Sequence, residues 1–114
     1  MSSAETSIEL NASDEVVFIR VHGDLGTDEV QRLTPRFLSV TALRPNLVII
    51  DLAQTEFISS LGMGAIVELR RGVMRFRGEV VLVGMRPIVA ECFRRTGLME
   101  MFRSVERLED ALPV

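Results

Sequence analysis

The stretch LVIIDLAQTEFISSLGMGAIVELRRG, Leu47 to Gly72, decides how the rest of the chain is read. Leu47-Val48-Ile49-Ile50 is a continuous apolar run rich in β-branched residues, the pattern of a strand covered on both faces. Asp51 stands where that strand leaves its sheet. Beyond Gly62 and Gly64, apolar Met63, Ile66, Val67 and Met74 recur at near-helical spacing, while Glu68, Arg70, Arg71 and Arg75 take the polar side. Strand, loop and helix therefore meet at Ser59-Ser60. A serine there can cap the helix by accepting an unpaired first-turn N–H. The same N–H groups, with the helix dipole, also favour a phosphate. Both a plain cap and a modified serine fit these residues.

Toward the N-terminus, Ile8 and Leu10 predict a short edge strand, Asn11 to Glu15 a turn, and Val16 to Val21 a second strand, together a hairpin. His22-Gly23-Asp24-Leu25-Gly26-Thr27-Asp28 reads as a loop, with Thr27 or Asp28 as cap of the next helix. From Glu29 to about Leu43, the residues Val30, Leu33, Phe37, Leu38 and Val40 or Thr41 give a helical stripe that Pro35 complicates but does not end. Arg44-Pro45-Asn46 closes it.

Toward the C-terminus, Gly72 falls near the end of the second helix and Gly78 marks a turn. Glu79 to Gly84 is another strand of parallel-sheet character. Pro87 suits the first turn of a helix whose apolar side is Val89, Cys92 and Phe93 and which stops at Thr96-Gly97. Leu98, Met101 and Phe102 are expected to cover an open end of the core. Phe102 to Val105 adds a marginal strand, and Arg107 to Leu112 a short last helix. Strand-helix-strand repetition predicts a single α/β domain over residues 1–114, with residues 1–6 flexible. Its sheet is mixed and mainly parallel, with four to five strands flanked by about four helices.

With 114 residues and 47% hydrophobic composition, one small domain with a real core is expected rather than a disordered chain. No apolar run approaches a membrane span and no export segment opens the chain, so a cytoplasmic protein without membrane insertion is expected. The single cysteine, Cys92, cannot form an internal disulfide and reads as a buried thiol. All 13 basic residues are arginine, and they are unevenly placed. Seven acids and only Arg20 lie between Met1 and Glu29, whereas eight arginines face three glutamates between Arg70 and Arg103. Such asymmetry can orient a protein partner. With neither tyrosine nor tryptophan and a net charge of -3, direct nucleic-acid binding is not expected.

Catalytic chemistry finds little support. Gly62-Met63-Gly64 lacks the further glycines and downstream acid of a dinucleotide fingerprint, and no P-loop is present. His22, the only histidine, has no ligand at metal spacing and reads as structural and partly exposed. Ser60, His22 and Asp51 could form a triad only without a nucleophile-elbow pattern. No catalytic residue, metal or cofactor is therefore expected. Asp24 and Asp51 frame the serine loop. They can fix loops by accepting backbone N–H bonds, or they can sit beside a phosphate on Ser60 that adds roughly two negative charges.

Asp51 to Gly64, DLAQTEFISSLGMG, resembles the STAS domain of bacterial anti-sigma factor antagonists, whose usual stretch is strand, Asp-Leu, a short loop, an apolar pair, then Asp-Ser-Ser/Thr-Gly-Leu-Gly opening a helix. The resemblance covers essentially the whole chain. Gly23-Asp24-Leu25 is similar to the family's Gly-Glu-Leu turn, and Arg95-Thr96-Gly97-Leu98 through Phe102 to its late Thr/Ser-Gly-Leu segment. It implies a non-enzymatic protein that binds a serine-kinase anti-sigma factor, is phosphorylated on Ser60 and is restored by a PP2C-type phosphatase. It also implies a partner-binding or loop-supporting surface at Asp24, Asp51, Ser59, Ser60, Leu61, Gly62 and Met63, and leaves a homodimer open. Three positions depart from the pattern. Ser59 replaces the motif's Asp and offers a competing hydroxyl, Leu61 replaces its Ser or Thr, and Gly26 replaces a common acid. The alternative is a constitutive STAS scaffold or transporter-associated regulatory subunit without a phosphoswitch.

Overall fold

Alternating apolar and polar residues make β1 (Ser7–Ser13) and β2 (Val16–His22) a hairpin, as the period of two demands. The computed structural model describes residues 5–13 and 15–112. Next come α1 (Thr27–Thr41), β3 (Leu47–Asp51), α2 (Ser60–Met74), β4 (Glu79–Val83) and α3 (Pro87–Arg95). A 3-10 turn at Met99–Met101, β5 (Arg103–Val105) and α4 (Leu108–Ala111) complete the chain.

The five strands lie in the order β1-β2-β3-β4-β5, antiparallel between β1 and β2 and parallel thereafter. Crossovers between parallel strands are almost always right-handed, so successive steps in one direction keep their helices on one face. Accordingly, Val30, Phe37, Ile66, Leu69 and Phe93 from α1, α2 and α3 all pack against Ile19, Val48, Ile50 and Leu82 on the same side. On the other side Leu47, Ile49, Val81 and Val83 are covered by Ala111 and Leu108 of α4. β3 is thus apolar on both faces, with Leu47 to Ile50 buried and Asp51 half-buried at its end. Truncating Ile50, fully buried, to alanine is expected to cost about 2–5 kcal/mol.

Several expectations need correction. The first strand continues through Ser13, because Asn11 and Ser13 pair with Phe18 and Val16, so Asn11 to Ser13 belong to the strand and not to a turn. The cap of α1 is the Gly26 backbone, with no side-chain bond from Thr27 or Asp28. Leu38 and Met74 are about half exposed, at 52% and 48%. Each follows directly on a buried residue, Phe37 or Val73, and one step along a helix turns a side chain about 100° away from the core. Cys92 is half-buried at the margin of the core, and Met101 is exposed whereas Phe102 is buried against Phe93. The last strand starts at Arg103, and the last helix spans only Leu108–Ala111.

Of the segment expected to be flexible, residues 1–4 lie outside the described residues. Thr6 is buried, and its hydroxyl donates to the Asp24 carbonyl at 2.7 Å. Because β2 to β5 run parallel, their C-terminal ends share one edge of the sheet. The loops carrying Asp24 and Ser59-Ser60 therefore leave side by side.

Candidate functional site

The two loops are fastened together as a short parallel bridge between Leu25 and Ile58. Leu25 N–H donates to the Phe57 carbonyl at 3.0 Å, and Ser59 N–H donates to the Leu25 carbonyl at 2.9 Å. Asp24 completes the joint: its Oδ1 accepts from Glu56 N–H at 2.8 Å and from Phe57 N–H at 3.1 Å. Fully buried Thr55 donates its hydroxyl to the Gly23 carbonyl at 2.9 Å. Asp51 holds the other end of the loop, accepting from Ala53 N–H at 2.9 Å through Oδ1 and facing Arg20 Nε at 3.2 Å through Oδ2. Both carboxylates are thus engaged in fixing backbone.

The two serines have separate tasks. Ser59 is the N-cap of α2, with extended backbone at φ -82 and ψ 167. Its Oγ accepts from Gly62 N–H at 3.0 Å and donates to the Leu25 carbonyl at 3.0 Å. A hydroxyl used in both directions and half-buried is committed to the fold. Ser60, the first helical residue, is exposed and its side chain makes no hydrogen bond among the described residues. The N–H groups of Ser60 and Leu61 belong to the unsatisfied first turn, so an anion on Ser60 Oγ would meet two free donors and the positive end of the helix dipole.

The surroundings of Ser60 are mixed. Phe57 and Leu61 are exposed at 56% and 45%, large apolar side chains on either side of the serine in sequence. On one flank opens a cavity of about 720 Å³ whose lining includes Asp24, Asp28, Glu29 and Glu56. On the other, a groove of about 610 Å³ between α1 and α2 is lined by Phe37, Leu38, Leu61 and Ala65. Gly62 and Met63 lie inward. A Cβ on Gly62 would come within 2.8 Å of the Leu25 carbonyl oxygen, so its absence lets α2 close on the β2–α1 loop, and Met63 is 5% exposed.

His22 joins the β2 end to this edge. Its Nδ1 faces Gln54 Oε1 at 3.0 Å and its Nε2 faces Glu9 Oε1 at 3.2 Å. Two acceptors favour a ring with both nitrogens protonated. The bond to Gln54, and next the bond to Glu9, raise its pKa above the ordinary 6.5. Among the described residues, no group of three or more His, Cys, Asp or Glu is arranged to hold a metal ion, and no helix is long and apolar enough to cross a membrane.

The structure therefore brings Asp24, Asp51, Ser59, Ser60 and Leu61 to one edge, and places Gly62 and Met63 beneath it. Sequence reasoning passed over Phe57, Thr55 and Arg20. Phe57 was legible as an apolar residue in a loop. Thr55 and Arg20 gain their meaning only from long-range partners.

A family model described as STAS domain matches residues 7–111. Among curated proteins, BtrV of Bordetella bronchiseptica, assigned as an anti-sigma factor antagonist, is 21% identical over 95 residues, covering 83% of this chain and 82% of that protein. An anti-sigma factor antagonist from Mycobacterium paratuberculosis superposes with a TM-score of 0.85 at 23% identity, covering 97% of this chain and 95% of the other. The Bacillus cell fate determinant SpoIIAA in its phosphorylated form gives 0.73 at 20% identity, covering 92% and 96%. At such identities, these two structures speak to the fold.

Proposed function

The chain belongs to the STAS-domain family, and on that premise we propose that it is an anti-sigma factor antagonist of a cytoplasmic partner-switching pathway. It binds a serine-kinase anti-sigma factor through the edge that carries Phe57, Ser60 and Leu61. The kinase transfers the γ-phosphoryl group of ATP to Ser60 Oγ, whose proton leaves to a base on the kinase, and a PP2C-type phosphatase removes the phosphate. The observation that carries this reading is the division between the two hydroxyls: Ser59 is bound in both directions, whereas Ser60 is exposed and its side chain makes no hydrogen bond among the described residues. Replacement of the motif's Asp by Ser59 keeps a capping oxygen at the helix start, so the departure preserves the presentation of Ser60.

Phosphate adds about -1.5 to -2 charge at a surface that otherwise offers two apolar side chains to a partner. Desolvating that charge opposes the bound state and favours release. The fold and the antagonist relatives support the role. The test is affinity capture by wild type, Ser60→Ala and Ser60→Asp with and without ATP. A serine kinase retained by wild type and Ser60→Ala, weakened at least tenfold by Ser60→Asp and released from wild type alone by ATP is expected (about 1.4 kcal/mol per tenfold). A stable assembly indifferent to ATP and to both substitutions would instead support a constitutive scaffold.

A further inference from the structure

The opposite edge of the sheet, where β3 and β4 begin, carries features that the Ser60 site does not use. Helices α1 and α2 both end there, and each chain turns through a residue in the left-handed region: Arg44 at φ 48 and Arg77 at φ 68. That position after a helix is the usual place of glycine or asparagine, since a Cβ strains it. The turns themselves are ordinary. Arg44 N–H donates to the Thr41 carbonyl at 3.1 Å, Arg77 N–H to Met74 at 3.0 Å and Gly78 N–H to Val73 at 3.0 Å. Glycine would make the same bonds without strain, so the fold itself has no need of arginine at either site.

The two strained arginines sit together. The Arg44 guanidinium lies 4.4 Å from the centre of the Phe76 ring, which joins the two turns. Around them Leu43, Met74 and Phe76 are exposed at 55%, 48% and 43%. Among the described residues, Arg44, Arg75 and Arg77 have no ion-pair partner, while Glu68 and Glu79 are held by Arg71 and Arg103 and exposed Glu15 adds one carboxylate to this edge. Glu15 meets this edge through its carbonyl, which accepts from Asn46 and Leu47 N–H. Cations do favour helix C-termini, but any last-turn position serves that purpose, as Arg71 does.

We infer that this pole is a docking surface for an anionic phospholipid bilayer, with Leu43 and Phe76 entering the headgroup boundary and Arg44, Arg75 and Arg77 taking lipid phosphates. Apolar side chains ringed by guanidiniums match the mixed character of that boundary, and the guanidinium fork matches phosphate. The apolar residues stand on turns rather than in a cleft. The hollow beside them, about 230 Å³, lies toward Arg70 and Met101 and is too small to seat a peptide. A deformable surface receives such tips without a cleft of its own, and the Phe76 face is covered by Arg44 rather than free to stack on a nucleic-acid base. Because the two poles lie at opposite edges of the parallel strands, a docked molecule would keep Ser60 turned away from the bilayer.

Flotation of the full chain with vesicles tests this. Vesicles of equimolar phosphatidylglycerol and phosphatidylcholine should carry the protein upward, pure phosphatidylcholine should not, and added salt should release it. The double variant Arg44→Gly/Arg77→Gly relieves the strain, so it should melt at or above the wild-type temperature yet bind about thirtyfold more weakly, about fivefold for each arginine. Phe76→Ser should weaken binding at unchanged charge. Absence of binding to the anionic vesicles, equal binding to both kinds, or full binding by the double glycine variant would overturn the inference. Capture by polyglutamate without vesicle binding would also overturn it, assigning the pole to an acidic protein.

Discussion

Replacing Ser59 with alanine separates the two serines most sharply. The change removes an N-cap acceptor from Gly62 N–H and a hydroxyl donor to the Leu25 carbonyl, each at 3.0 Å. Loss of the cap costs about 1 kcal/mol. The donated bond adds about 0.5–1 kcal/mol, reduced because the Leu25 carbonyl keeps the Ser59 N–H at 2.9 Å. The sum, about 1.5–2 kcal/mol, divided by an unfolding entropy of about 0.24 kcal/mol/K for a domain of this size, lowers Tm by about 6–8 °C. Ser60→Ala removes an exposed hydroxyl that has no partner among the described residues and should stay within about 0.5 kcal/mol of wild type. Urea and thermal unfolding of the two variants, followed by circular dichroism, provide the comparison. Ser59→Asp should fall between them, since a carboxylate caps well but cannot donate to the Leu25 carbonyl. Equal losses at both serines, or a larger loss at Ser60, would refute the division of labour.

Two glycines two residues apart should respond with opposite signs. Gly62→Ala places a Cβ 2.8 Å from the Leu25 carbonyl oxygen and 2.9 Å from Ile58 Cγ1, and should destabilise by about 1–3 kcal/mol in urea titration. Gly64→Ala meets nothing within 4 Å and should stabilise by about 0.5–1 kcal/mol through helix propensity. The raised pKa of His22 means that its contribution to stability is complete below the unfolded value of 6.5 and is lost as pH rises through the folded value. The denaturation midpoint should therefore fall across that window in wild type but not in His22→Ala, and NMR titration of the ring should place its pKa above 6.5. Disrupting the Asp24 joint by Asp24→Ala leaves Glu56 and Phe57 N–H without their acceptor and should cost about 1–3 kcal/mol, with faster amide exchange at those two residues.

The alternation of two and the continuous apolar run made the strands legible, because burial on one or both faces dictates those patterns directly. Helix positions were legible to within one residue of the true stripe. Leu38 and Met74 were misplaced because apolar character alone does not tell a core residue from an exposed neighbour of one. The Ser59-Ser60 position was visible from the strand-to-helix change, but its assignment was not. Which hydroxyl caps depends on the backbone of Ser59 and on the Leu25 carbonyl, which lies 34 residues away. The same holds for Thr55 and Arg20, whose partners are Gly23 and Asp51 across the loop and sheet. Local sequence reports local geometry, and the loop joint is a long-range product of the parallel order. The left-handed Arg44 and Arg77 were likewise invisible, because no propensity favours arginine there.

The claim on which the account rests is that Ser60 accepts phosphate while Ser59 stays in the fold. Wild type and Ser60→Ala should be incubated with the captured serine kinase and ATP, and the modified residue mapped by mass spectrometry. One phosphate, on Ser60, is expected in wild type and none in Ser60→Ala. Phosphate on Ser59, or no phosphate on either protein while the kinase is bound and active, would contradict it.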